Sequence, residues 1–211
     1  MDFLKNLEMA TAAAKEHGEQ SFIIKSGNGR IMFSAPHCVE QIREGKIKFS
    51  EPETGILVEM LHSEFGCPII RKTSNRNDDA NYDPVSDYKD ALAEYIKENN
   101  IGILVDLHQL APFREEMINF GTGKLKNIGD KNLINVFLGA FTKNRVGMIQ
   151  MDEPFDASYE HTVSSTIHRK CSIPCLQIEI NSRLVNEKHE ESSIEAVYKA
   201  LSECYLKLKE L

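Results

Sequence analysis

Apolar positions along the chain switch between a helical period and continuous or alternating runs, and each switch marks an element. Residues 2–17 mix apolar and charged residues at helical spacing and predict an amphipathic helix. SFIIKSG and RIMFSAP then predict two short strands joined at the turn signal Gly27-Asn28-Gly29. In EPETGILVEMLHSEFG the residues Ile56, Leu57, Met60, Leu61 and Phe65 fall on one helical face, and Gly66 supplies a stop. CPIIRKT predicts a strand. DPVSDYKDALAEYIKENN, opened by Asp-Pro and closed by two asparagines, predicts a helix. IGILVDLHQ is a β-branched run of the kind buried on both faces of a sheet. EMINFG, a helix over 130–144, a strand VGMIQ, a short helix over 162–170, the strand CLQIEIN and a helix over 192–210 complete the chain. The alternation predicts an α/β fold of three layers, a mostly parallel or mixed sheet with helices on both faces. No repeat, low-complexity tract or linker interrupts it, so residues 1–211 are expected to form one domain.

Composition narrows the partners. The net charge is −7 and no dense Lys/Arg block occurs, which argues against a nucleic-acid partner. One or two pocket arginines could still draw an anionic small molecule. No apolar run is long enough for a membrane span. The charged N-terminal stretch makes a poor secretory signal, and five cysteines is an odd count. Together these predict a cytoplasmic protein with free thiols. Cys171 and Cys175 are spaced CSIPC, which is neither a CxxC redox motif nor a strong zinc knuckle.

In doubly covered sheets, sites form beyond the carboxyl ends of strands. Three predicted strands end in chemistry there. RIMFSAP leads into His37 and Glu40, IGILVDL into His108 with Asp106 two positions earlier, and CLQIEIN carries Glu179 within an apolar strand. Two histidines and a carboxylate are the ligands of a zinc site that keeps a position open for water. A carboxylate inside an apolar strand is costly unless paired or poised beside a cation. Asp106 and His108 point to the same side of an extended strand, which suits Asp106 to a supporting role. Each motif alone also has an ordinary structural reading: HxxE arises by chance, and DxH can be a hydrogen-bonded pair. A further strand end carries Asn75 and Arg76 in KTSNRNDDANYD, where arginine offers a bidentate fork for a carboxylate and a solvated turn is the plain alternative.

Taken in order, SAPHC, SNRNDDANYD, LVDLHQL, MINFGTG and PCLQIEINSRL resemble the zinc carboxypeptidase-like α/β hydrolases, of the phosphorylase/hydrolase-like fold. Within them the chain looks most like the N-formylglutamate amidohydrolase family. The resemblance implies one zinc ion per chain held by His37, Glu40 and His108, with Glu179 as catalytic base. It implies Arg76, Asn75 and, further along, Arg183 as contacts to a small anionic substrate. The implied activity is zinc-dependent hydrolysis of an amide bond, other than a standard peptide bond, in an N-acyl amino acid. The segment CVEQIREGKIKFSEPETG departs from the glycine-rich sequence of that family. Small zinc hydrolases of γ-glutamyl polymers fit this segment as well, so a γ-glutamyl or carboxypeptidase-like peptide hydrolase is the first alternative. A non-catalytic binding protein on the same scaffold is the second.

Overall fold

A computed structural model of the chain describes residues 2–18, 20–186, 188 and 193–209. In chain order the elements are α1 (Phe3–Ala13), β1 (Phe22–Lys25), β2 (Ile31–Ala35), β3 (Gln41–Arg43), β4 (Lys46–Lys48), α2 (Pro52–Phe65), β5 (Ile69–Lys72) and α3 (Asp87–Glu98). There follow β6 (Ile103–Leu110), β7 (Ile118–Gly121), α4 (Lys131–Lys143), β8 (Ile149–Met151), α5 (Val163–Cys171), β9 (Cys175–Asn181), α6 (Ser182–Val185) and α7 (Ile194–Leu208). Seven strands form one mixed sheet in the order β1-β5-β2-β6-β9-β7-β8. Its centre, β5-β2-β6-β9, is parallel, while β1 and β7 each join antiparallel. The expected three-layer α/β architecture is therefore present. Residues 192 and 210, the ends expected for the last helix, lie outside the described residues.

Strand alternation explains both layers and the site. Ile31, Phe33 and Ala35 of β2, Val105 and Leu107 of β6, and Leu176, Ile178 and Ile180 of β9 face α1, α2, α4 and α7. Met32, Leu104 and Cys175 face α3 and α5, against Leu92, Ile96 and Ile167. Burial of each such large apolar side chain contributes about 1.5–3 kcal/mol, and both layers are closed in this way. On the second face the apolar rows stop halfway along the strands. The next residues of that parity are Ser34, Asp106, His108, Gln177 and Glu179, so one face passes from core to polar site within a few residues.

Three elements differ from expectation. SFIIKSG and RIMFSAP do not pair with each other, because β5 lies between them. The turn at Gly27 wraps around the chain entering β5: a Cβ on Gly27 would lie 2.2 Å from the Gly66 carbonyl oxygen, and Asn28 N–H donates to that same oxygen. The helix expected from residue 83 begins at Asp87, since Asp83 is held in a turn by the Asp79 N–H. Between His37 and α2 the chain forms a separate hairpin, β3-β4, whose turn residues Glu44 and Gly45 both have positive φ, as a tight two-residue hairpin turn requires.

Candidate metal centre and its cavity

His37 leaves the carboxyl end of β2 in a turn, and His108 projects from β6, the strand paired with β2. The two imidazoles meet edge to face, with ring centroids 4.7 Å apart and Nδ1 atoms 3.2 Å apart. Glu51, the residue just before α2, closes the group: its Oε1 lies 3.0 Å from His37 Nδ1 and its Oε2 3.5 Å from His108 Nδ1. Two things steer Glu51 there. Its N–H donates to the His37 carbonyl at 2.8 Å, and Gln109 N–H donates to its Oε2 at 3.0 Å. Although it occupies the N-cap position, its side chain does not cap α2.

Each histidine's other nitrogen is tied to its own carboxylate. His37 Nε2 lies 2.9 Å from Asp79 Oδ1, and His108 Nε2 lies 3.1 Å from Asp106 Oδ2. These bonds turn both Nδ1 atoms toward one point, the arrangement in which second carboxylates orient metal-binding imidazoles. Burial alone would lower the His37 pKa, but the Glu51 charge and the bonds to Asp79 and Glu51 outweigh it and raise it to about 9. His108 is likewise raised, burial being overcome by Asp106 and Glu51. Glu51 is lowered, the two histidines overriding the cost of burial.

The donor set fits a metal ion. Two donors bound at about 2.0–2.1 Å to one tetrahedral zinc lie about 3.3 Å apart, close to the spacings found here. Among the described residues, His37, Glu51 and His108 form the group whose ligand atoms all lie within 4.8 Å of one another. Glu40 is not in it. The chain bends after His37 instead of starting a helix, so the HxxE spacing does not bring the two side chains together. Glu40 is exposed, and its carbonyl accepts from Asn75 Nδ2. The carboxylate comes from fourteen residues downstream, after the β3-β4 hairpin has looped out and returned. The one sequence signal for it was an acidic residue directly before a proline that starts a helix.

Glu179 sits beside this group, paired in register with His108 on the adjacent strand and pointing to the same face. It is 6% exposed, and its Oε1 accepts from Gln177 Nε2 at 2.9 Å. Burial raises its pKa; the histidines oppose this and Glu51 reinforces it, leaving it at about 7. A carboxyl group balanced near neutrality suits proton transfer.

All four side chains line a cavity of about 680 Å³. Its other cations are Arg43, Lys48 and Arg114. The Arg43 guanidinium is held by Asp79 Oδ2, with Nε at 2.9 Å and Nη2 at 2.8 Å, and lies 4.7 Å over the Tyr82 ring. Asp79 thus braces a histidine with one oxygen and an arginine with the other. Asn75, Arg76 and Arg183 are not among the lining residues. Asn75 and Arg76 lie in a turn outside the mouth, where Arg76 N–H donates to Asp78. Arg183 turns back to the loop after β6, donating from Nη2 to the Arg114 carbonyl at 2.8 Å. The five cysteines are free thiols, and burial raises the pKa of Cys38, beside His37, to about 12. No helix among the described residues is long and apolar enough to cross a membrane.

No family model and no curated protein matches the sequence. Solved structures match in fold. A gene product of Agrobacterium tumefaciens superposes with TM-score 0.65 at 13% identity, over 93% of this chain and 96% of its own. An N-formylglutamate amidohydrolase from Ralstonia eutropha gives 0.61 at 13% identity, over 90% and 97%. A bacteriophage poly-gamma-glutamate hydrolase gives 0.58 at 13% identity, over 97% and 95%. The chain shares the fold of these structures, an N-formylglutamate amidohydrolase and a poly-gamma-glutamate hydrolase among them.

Proposed function

We propose that the protein is a zinc-dependent amidohydrolase, one ion per chain, that cleaves the amide bond of an N-acyl amino acid or a similar small anionic substrate. The observation that carries this is the convergence of His37, Glu51 and His108 next to the buried Glu179. When bound, zinc supplies Lewis acidity at that point. Asp79 and Asp106 keep both imidazoles aimed with Nδ1 inward. Glu179 takes a proton from the attacking water as the new C–O bond forms. It then delivers that proton to the amide nitrogen as the C–N bond breaks. At the mouth Arg114, ahead of Arg76 or Arg183, attracts the substrate's carboxylate, while Arg43 stays paired with Asp79.

A second substrate reading, a γ-glutamyl peptide, is favoured by the likeness to a poly-gamma-glutamate hydrolase over nearly the whole chain. One experiment tests the metal and the chemistry together. Metal content is measured by mass spectrometry in the parent and in Glu51→Gln, Glu40→Gln and Glu179→Gln, and each is assayed on N-acyl amino acids and γ-glutamyl oligomers. The parent should carry about one zinc per chain and hydrolyse one series; Glu40→Gln should match it. Glu51→Gln should lose metal and turnover, and Glu179→Gln should keep metal while losing turnover. A parent that takes up no zinc on addition, or an active Glu179→Gln, would overturn the proposal.

A further inference from the structure

The two most exposed large apolar side chains among the described residues are Phe49, at 90%, and Phe113, at 83%. Scattered exposed apolar residues need no explanation. These two line the same cavity and lie near two members of the metal group in the chain, Phe49 just before Ser50-Glu51 and Phe113 in the loop that follows His108. Phe155 extends the apolar wall. Arg114 lies against it, its guanidinium carbon 5.2 Å from the Phe155 ring centre and 6.0 Å from that of Phe113. Arg43 is committed to Asp79, whereas among the described residues neither Arg114 nor Lys48 has a carboxylate partner.

We propose that this mouth is a subsite for an aryl group of an anionic substrate, with the substrate's carboxylate on Arg114; the inference rests on the hydrolase reading and narrows its substrate class. A phenylalanine side chain has no polar atom, so it recognises a flat apolar group by offset or edge contact and leaves sugar hydroxyls unserved. An arginine stacked on one ring keeps its edge free for a bidentate carboxylate. The cavity volume lies in the range that takes a drug-sized ligand, beyond what a formyl or acetyl group occupies. The class is therefore an aryl-bearing N-acyl amino acid, ahead of a formyl or acetyl derivative of a small amino acid.

Calorimetric binding of 3-phenylpropionate and propionate to the zinc-loaded protein tests the subsite without turnover. Phenylpropionate should bind at least about tenfold more tightly, the scale expected from partly burying one ring. Phe49→Ala with Phe113→Ala should erase that margin and leave propionate binding unchanged, and Arg114→Gln should weaken both acids. Both phenylalanines are surface residues, and an unchanged melting temperature verifies that the variants fold. Equal binding of the two acids, or a margin that survives the double substitution, overturns the subsite. Turnover of N-phenylacetylglycine and N-acetylphenylalanine is then compared with N-acetylglycine. A tenfold preference for either aryl compound supports the subsite and assigns the ring to one side of the amide; equal rates count against it. If none of the three is cleaved, the hydrolase reading is in doubt while the calorimetry still decides the subsite.

Discussion

Asp79 and Asp106 do for the histidines what the ligand atoms cannot do themselves: they fix which nitrogen faces inward. Both are fully buried, and Asp79 is lowered in pKa, burial being outweighed by His37 and Arg43. Replacing either with Asn keeps the shape but removes the charge, so zinc affinity should fall about 10–100-fold by chelator competition, with the fold retained. Affinity equal to the parent's would show that the histidines are oriented by packing alone. At this scale the sequence was informative where chemistry and strand parity coincide. His37, His108, Asp106 and Glu179 all lie on or directly after strands whose alternation is regular. It was uninformative for Glu51, because HxxE offered a nearer carboxylate and nothing local says that a hairpin separates His37 from its partner. Arg43 was hidden for the same reason: its distance to the site is set by that hairpin.

The element that decides the site's geometry is α2, whose first residue follows Glu51 directly. Leu57, Val58, Met60 and Leu61 bury its inner face, and Gly55 lets its first turn approach the turn after β2. A Cβ on Gly55 would lie 2.9 Å from Cys38 Sγ and 3.3 Å from Cys38 Cβ. Gly55→Ala should therefore push α2 outward, destabilising the fold by about 1–3 kcal/mol despite alanine's better helix propensity. Because Glu51 rides on the same turn, zinc affinity should fall with it. Adding Cys38→Ala removes the sulfur but not the Cβ, so thermal unfolding should recover in part. A Gly55→Ala protein as stable as the parent would mean that α2 has slack and that Glu51 is placed by Gln109 alone. The helices with strong apolar faces were legible in the sequence, as were β6 and β9. The β3-β4 hairpin was not: its eight residues, 41–48, include five charged or polar side chains and only Ile42 and Ile47 as apolar positions, too few to show a period. The pairing partner of β1 is a long-range property and has no local signature.

At the scale of the whole molecule, the proposed function makes the metal group couple folding, protons and zinc. Without metal, His37 has a folded pKa of about 9 against an ordinary 6.5. Its contribution to stability is therefore complete below about pH 6.5 and is lost as pH rises through about 9. Glu51 acts in the opposite sense. Its folded pKa is below the ordinary 4.5, so its contribution is present above that value and fades as pH falls through the lowered one. Between those limits His37 in the metal-free protein is held protonated by Glu51 and Asp79, and His108, also raised, shares the same carboxylate. Zinc requires neutral imidazoles, so on the proposed function its binding at pH 7 must expel the protons that stabilise this cluster. Calorimetric titrations with zinc at pH 7, in two buffers of different ionisation enthalpy, should show one to two protons released per ion, and affinity should weaken as the pH is lowered from 9 to 6. Free zinc at about a hundred times its Kd adds about 2.7 kcal/mol of stability. For a chain of this length that raises the melting temperature by about 5–10 °C. A proton count of zero would show that His37 and His108 are already neutral in the metal-free protein, and that Glu51, Asp79 and Asp106 do not hold the cluster charged.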